Sequence, residues 1–293
     1  MRTKTETLVT AAFTGGGTGG HIYPGLAVAD ALRTLCAKNG VSLSVAWIGN
    51  ASGMDKNIVE KNTGQNGIKS ADVFYGIPSG KLRRYFSLRN FFDLFKIAGG
   101  VIASFFILLK IKPAFLFSKG GFVSVPPCFA AKILKIPVFT HECDFTPGLA
   151  TKINSRFAEK ILLSYTETAN YLSAAAKSKA LVTGNPVRPA FYTASAEKGR
   201  RFANVNGEKP ILLVIGGSLG ARQINELVEK NLDQLCRHFT VIHQTGIKNV
   251  SAEPCMVSED VKCNYHPFSF IYAEMPDVIA AADVVLSRAG ANS

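Results

Sequence analysis

The chain alternates between short, wholly apolar runs and longer segments in which apolar residues recur every three or four positions. Leu8–Phe13, Leu43–Ile48, Phe115–Phe117, Val138–Thr140 and Ile161–Ser164 are runs of the first kind, and Ala180–Val182 is a weaker one. Between the first two runs, Ile22, Leu26, Ala29, Leu32 and Cys36 form the stripe of an amphipathic helix. Apolar strands without polar alternation, separated by helices, predict a parallel sheet covered on both faces. The turn-rich stretch Gly184-Asn185-Pro186-Val187-Arg188-Pro189 and the polar segment Ser195–Lys209 then interrupt the pattern.

Beyond the interruption the pattern starts again. Ile211–Ile215 and Phe239–His243 read as strands, Met275–Ala282 as a short helix, and Asp283–Leu286 as a strand running into Arg288-Ala289-Gly290. A helix reaching about Arg237 would carry Ile224, Leu227, Val228, Leu232 and Leu235 on one face. The expectation is an α/β protein of two Rossmann-like, doubly wound domains, 1–190 and 191–293, a division that suits 293 residues. Six strands are expected in the first domain and three or four in the second. The smaller number leaves the second sheet incomplete, so a fragment of a longer protein is expected.

One strand in each domain empties into glycines. Leu8–Phe13 leads into Gly15-Gly16-Gly17-Thr18-Gly19-Gly20-His21, and Ile211–Ile215 into Gly216-Gly217-Ser218-Leu219-Gly220-Ala221. A third pair, Gly120-Gly121, follows Phe115–Phe117. Glycines let the backbone approach an anion, and the helix that follows presents unpaired N–H groups and its positive dipole end. Two such devices suggest two nucleotide-fold domains serving one site for phosphorylated substrates. The first loop satisfies the dinucleotide fingerprint, but the next strand ends Trp47-Ile48-Gly49-Asn50, without the carboxylate an NAD ribose requires. Neither loop is followed by a lysine–serine/threonine pair, which disfavours phosphoryl transfer from ATP.

The net charge of +12 fits nucleic acid, an anionic membrane surface or phosphorylated metabolites as partners. The six cysteines, Cys36, Cys128, Cys143, Cys236, Cys255 and Cys263, contain no CxxC pair and read as buried thiols of a reduced, cytoplasmic protein. The first ten residues lack the apolar core of a secretory signal. Lys81–Lys112 is unusual: Lys81, Arg83, Arg84 and Arg89 precede Phe91, Phe92, Leu94 and Phe95, and then an uncharged run, Ile97–Leu109. Those thirteen residues are too few to span a bilayer, which needs about 20. A buried helix and a basic, aromatic surface resting on anionic headgroups are both open.

GGGTGGHIYPGLAVADAL, SKGGFVSVP, HECD, GNPVR, GGSLGARQIN, HQTG and SRAGA occur in the order and spacing of the MurG family, which the chain resembles along nearly its whole length. That resemblance implies the GT-B architecture and an inverting transfer of N-acetylglucosamine from UDP-GlcNAc to lipid I, giving lipid II in peptidoglycan synthesis. It implies a peripheral enzyme on the cytoplasmic face of the membrane, with no nucleic-acid partner and no cofactor. Family members run longer than this chain.

Sugar transfer needs a base for the acceptor hydroxyl, positive character for the departing diphosphate, and a pocket for both substrates. No Asp-x-Asp motif ends a strand, so the sequence requires no metal. His21, at a helix start where the dipole favours the neutral ring, and Glu142, beside His141 at a strand end, are the candidate bases. By resemblance, Thr18, Gly19, Gly20, Arg188, Ser218 and Ile271 line the UDP-GlcNAc site, Ile271 through its backbone, and Ala291, Asn292 and Ser293 add donor contacts. Asp144 stands where the family pattern His-Glu-Gln-Asn has an amide, which replaces a donor–acceptor group by an acceptor in that substrate contact.

Overall fold

The computed structural model describes residues 7–64, 67–80, 88–217, 220–246, 258–288 and 290–291, of 88–90 the backbone alone. The basic residues Lys81, Arg83 and Arg84, the side chain of Arg89, and Cys255 fall outside the described part. The chain divides into two compact units, Met1–Arg188 and Pro189–Ser293.

In the first unit, strands β1 (Thr7–Thr14), β2 (Val41–Asn50), β3 (Val73–Ile77), β4 (Phe115–Ser118), β5 (Val138–Glu142), β6 (Lys160–Leu163) and β7 (Ala180–Val182) form one sheet. Their order is β3-β2-β1-β4-β5-β6-β7, and every pairing is parallel. The connecting helices are α1 (Gly19–Lys38), α2 (Asp55–Lys61), α3 (Leu88–Ile111), α4 (Val125–Ile133), α5 (Leu149–Phe157) and α6 (Ala174–Lys177). The apolar runs follow from burial of both faces. Ala11 and Phe13 of β1 join Trp47 and Phe117 against Ile22, Leu26 and Ala29 of α1. Their neighbour Ala12 points the other way, into a cluster with Leu108 of α3 and Cys128, Ala130 and Ala131 of α4.

The second unit repeats the plan with β8 (Ile211–Ile215), β9 (Thr240–Gln244), β10 (Tyr265–Phe268) and β11 (Val284–Ser287), ordered β10-β9-β8-β11. Its helices are α7 (Ala196–Phe202), α8 (Arg222–Lys230), α9 (Leu232–His238), α10 (Glu259–Asn264) and α11 (Met275–Ala281). Ile211 and Leu213 pack with Val278 and Ala281 on one face, and Leu212 and Val214 with Val228, Leu232 and Cys236 on the other.

Several expectations need correction. The first sheet has a seventh strand, β3, an edge strand in which only Ile77 is buried, whereas the four strands of the second sheet fall within the three or four expected, the fourth being the edge strand β10 with Pro267. The helix after the second glycine loop is two helices that meet at Asn231, whose Nδ2 donates to the Leu227 carbonyl at 2.8 Å. Leu227, expected on the buried face, is 53% exposed. Cys263 is exposed and Cys36 half-buried, so burial does not account for every thiol.

The reading of Lys81–Lys112 as a buried helix also fails. α3 spans 24 residues, and Phe91–Ile111 is long and apolar enough to cross a membrane by length and composition, yet only 17% of it is buried. Asp93, Gly100, Ser104 and Leu108 turn towards the protein. Phe91, Phe95, Ile102, Phe106 and Leu109 recur at helical spacing as an exposed apolar stripe.

Candidate active site

Ligands of doubly wound sheets sit beyond the carboxyl ends of the strands where the strand order reverses. In the first unit that point lies between β1 and β4, whose last residues, Thr14 and Ser118, are in register. Gly15-Gly16-Gly17 leaves β1 there, and Gly120-Gly121 follows β4. Gly121 has φ of +77°, and a Cβ on it would lie 2.8 Å from the Gly16 carbonyl oxygen and 3.2 Å from Cγ of His21. Glycine at 121 thus lets the two loops and the imidazole meet.

The first loop is held from within the chain. Asp55, 1% exposed at the start of α2, accepts the Gly17 N–H through both carboxylate oxygens at 3.0 and 3.2 Å and the Asn50 N–H at 2.9 Å. Burial pushes its carboxyl pKa up, opposed by these backbone donors. One N–H that the sequence offers to an anion is therefore already engaged.

His21 lies in the first turn of α1, its Nδ1 2.8 Å from the Thr18 hydroxyl oxygen. Its pKa falls to about 4, chiefly through burial and then through the Lys119 ammonium, against the opposing pull of Glu142. The ring is neutral near pH 7, the form a base requires. Burial and the Lys119 charge thus act in the same direction as the helix dipole invoked from sequence. Lys119 is a residue that sequence reasoning missed. It is 1% exposed just past the end of β4, and its Nζ has no hydrogen-bond partner among the described residues. The available signal was a lysine immediately before a glycine pair at a strand end.

Glu142, the other candidate base, is 5% exposed, and its two oxygens accept the N–H groups of Asp144 and Gly148, each at 3.0 Å. Its carboxylate closes the turn between β5 and α5, a tie that a surface glutamate would not make. Beside it, His141 is held through Nε2 to the Gly184 carbonyl at 2.9 Å, and burial and Lys119 bring its pKa to about 4. Asp144 is exposed. Partial burial and Glu142 raise its pKa, and Lys119 lowers it. Glu142, Cys143 and Asp144 bring three potential metal-donor atoms within 4.8 Å of one another, but both Glu142 oxygens are committed to the turn. Thr18, Gly19, Gly20, His21, Glu142 and Asp144 thus cluster around the β1 and β5 ends of the sheet.

Arg188 places its guanidinium carbon 4.9 Å from the centroid of the Tyr23 ring, and the charge of Asp30 also acts on it. In the second unit, Gln244 at the end of β9 donates to the Gly217 carbonyl at 3.3 Å and accepts the Ile271 N–H at 2.9 Å. It ties the second glycine loop to the Ile271 backbone, while the Ile271 side chain, 2% exposed, belongs to the core. Behind it, His243 bridges Tyr265 and Asn225 through its two ring nitrogens. Ala291 is half-buried, and Ser218, Asn292 and Ser293 lie outside the described residues.

Two family descriptions match the chain: the glycosyltransferase family 28 N-terminal domain over residues 11–163 and the C-terminal domain over 211–293. The chain belongs to glycosyltransferase family 28. Within the family it is 55% identical to a protein of Treponema denticola and 41% identical to one of Clostridium botulinum. Both relatives are named UDP-N-acetylglucosamine–N-acetylmuramyl-(pentapeptide) pyrophosphoryl-undecaprenol N-acetylglucosamine transferase. Each alignment covers 96% of this chain and 72% of the relative, which places the chain in the MurG branch of the family. Among solved structures it is similar to Acinetobacter baumannii MurG, at 24% identity and a TM-score of 0.59 over 97% of this chain and 74% of that one. It is also similar to UDP-GlcNAc 2-epimerase from Neisseria meningitidis, at 15% identity and a TM-score of 0.61 over 97% and 78%. These likenesses give the fold, the two parallel-sheet domains of the GT-B type, as expected.

Proposed function

We propose that the chain is a hexosyltransferase that moves N-acetylglucosamine from UDP-GlcNAc to the muramyl 4-hydroxyl of lipid I, giving lipid II. The relatives carry the substrate assignment, and His21 carries the chemistry: a neutral imidazole, held by Thr18 where both glycine loops of the first unit meet. His21 takes the hydroxyl proton as the acceptor oxygen attacks the anomeric carbon from the face opposite UDP. One bond forms as the other breaks, so the anomeric centre inverts. Glu142 holds the adjoining turn in place, and Asp144 contributes an acceptor to a substrate hydroxyl.

Residues 1–190 would bind the acceptor and the membrane, and residues 191–293 the UDP-sugar, with Ser218, Ile271, Ala291, Asn292 and Ser293 as donor contacts. Arg188 would contribute positive charge to the diphosphate. The apolar stripe of α3, with the basic residues preceding it in sequence, supports peripheral attachment to an anionic membrane at its cytoplasmic face.

The decisive assay follows product configuration and rate with UDP-GlcNAc and a lipid I analogue. His21→Ala is expected to lower turnover by about 10²–10⁴-fold with UDP-GlcNAc affinity little changed. A folded variant with near-normal turnover would remove His21 as the base, and a product retaining the donor configuration would exclude single displacement.

A further inference from the structure

β9 lies between β8 and β10, and its last residue, Gln244, is in register with the last residue of each, Ile215 and Phe268. The chain leaves β8 into Gly216-Gly217 and β10 towards Ile271, so two loops depart on either side of one buried amide, 2% exposed. The partners dictate how that amide is turned. The Ile271 N–H can only donate, and it claims Oε1 at 2.9 Å; the Gly217 carbonyl can only accept, and it takes Nε2 at 3.3 Å. The same carbonyl accepts the Gly220 N–H at 3.0 Å, which closes a turn within the glycine loop. A single side chain thus links the loop after β8 to the backbone after β10.

The residues around Gln244 hold it in place. The Thr245 N–H donates to the Phe268 carbonyl at 2.9 Å and the Gly246 N–H to the Ser269 carbonyl at 3.1 Å, which carries the pairing of β9 with β10 past the strand ends. The Thr245 carbonyl accepts Nδ2 of Asn225 at 2.8 Å, which turns Oδ1 of Asn225 towards Nε2 of His243 at 3.2 Å. That ring nitrogen therefore carries the proton, and Nδ1 accepts the Tyr265 hydroxyl at 3.0 Å. α8 is tied in this way to the end of β9. A buried network with its members paired is rigid, so the Gln244 bracket exists before any ligand arrives.

We propose that Gln244 is a positioning residue for the nucleotide sugar: its amide sets the second glycine loop and the Ile271 backbone at a fixed separation, so both are in place when UDP-GlcNAc binds. The ligand roles of the loop and of Ile271 rest on the transferase reading above, whereas the bracket itself does not. Gln244 touches no reacting atom in this scheme and acts through the two segments it joins. Without it, binding would have to order both segments, and affinity would fall.

The test combines amide hydrogen exchange by NMR with calorimetry on the full chain. In the native protein without UDP, the Ile271 amide should exchange slowly, because Gln244 already holds it. Gln244→Met keeps the length of the side chain and removes both hydrogen bonds. It should speed exchange at Ile271 and weaken UDP binding about tenfold, with affinity for a lipid I analogue unchanged. A native Ile271 amide that exchanges like one in an unstructured peptide would overturn the proposal without any variant. So would native UDP affinity in a folded Gln244→Met protein, or an equal loss of affinity for UDP and the lipid I analogue, which marks general destabilisation. Weakened UDP binding in the variant, in a chain whose native form transfers no sugar, would uphold the role of Gln244 and refute the transferase reading.

Discussion

The exposed stripe of α3 makes a quantitative prediction about membrane attachment. Phe91, Phe95 and Phe106 are 62%, 63% and 63% exposed. A phenylalanine buries roughly 150–250 Å² when fully covered, so each ring leaves about 120 Å² in water. At about 25 cal/mol per Å², complete desolvation of one ring is worth about 3 kcal/mol. A helix lying in the headgroup region covers one side of each ring, roughly half of that, and the three together contribute about 4–5 kcal/mol. Replacing all three by serine should lower partitioning onto phosphatidylglycerol-containing vesicles by about three decades, read by sedimentation. The melting temperature should stay nearly constant, because the rings face away from the core. Arg83→Glu with Arg84→Glu should remove a different, salt-sensitive part, about 1 kcal/mol per basic residue. A triple-serine variant that sediments like the native protein, or that melts as though a core cavity had formed, would refute the docking surface.

Other expectations address the loops and the buried histidines. Arg188→Ala should weaken UDP binding ten- to a hundred-fold by calorimetry, since a charge-assisted contact is worth about 1.5–3 kcal/mol. Unchanged affinity would confine Arg188 to its stack on Tyr23. Asp55→Ala strands the Gly17 and Asn50 N–H groups, a cost of about 1–3 kcal/mol for each that stays buried, and should lower both the melting temperature and turnover. Full activity at an unchanged melting temperature would show that the loop holds its shape without the clamp. His141 and His243 are 1% and 0% exposed and titrate near 4 instead of 6.5. Their depressed values give stability that is present above pH 6.5 and lost as pH falls towards 4, about 3 kcal/mol each. The raised carboxyls of Asp30, Asp55 and Asp144 oppose this, holding protons more tightly folded than unfolded. Urea midpoints should nevertheless fall between pH 7 and 4.5, and a flat profile would contradict the histidine shifts.

The fold was legible where a strand is buried on both faces. Ala11, Ala12 and Phe13 of β1, or Leu212, Leu213 and Val214 of β8, leave no polar position to confuse the reading. It was illegible at the edges: β3 is half open to solvent, and β10 contains a proline that an interior strand would not tolerate. α3 misled because its apolar residues serve two environments, and apolarity alone does not say which side faces protein. In the site, the glycines and His21 were readable because turn geometry and helix starts are local. Asp55 and Gln244 were not, since each acts on a segment far away in sequence. Asp55, for example, reaches back 38 positions to Gly17.

The clamp by Asp55 also bears on inhibitor design. A phosphate-binding loop is usually pictured as a set of vacant donors that an anion fills, so adding negative charge to a ligand is the natural first step. At Gly17 that donor is occupied by a buried carboxylate of the chain itself. A ligand group directed there would meet like charge, and a neutral or cationic substituent should be tolerated better. Because the carboxylate fixes the loop in advance, a ligand would gain little from ordering it. Affinity would then have to come from contacts elsewhere in the site.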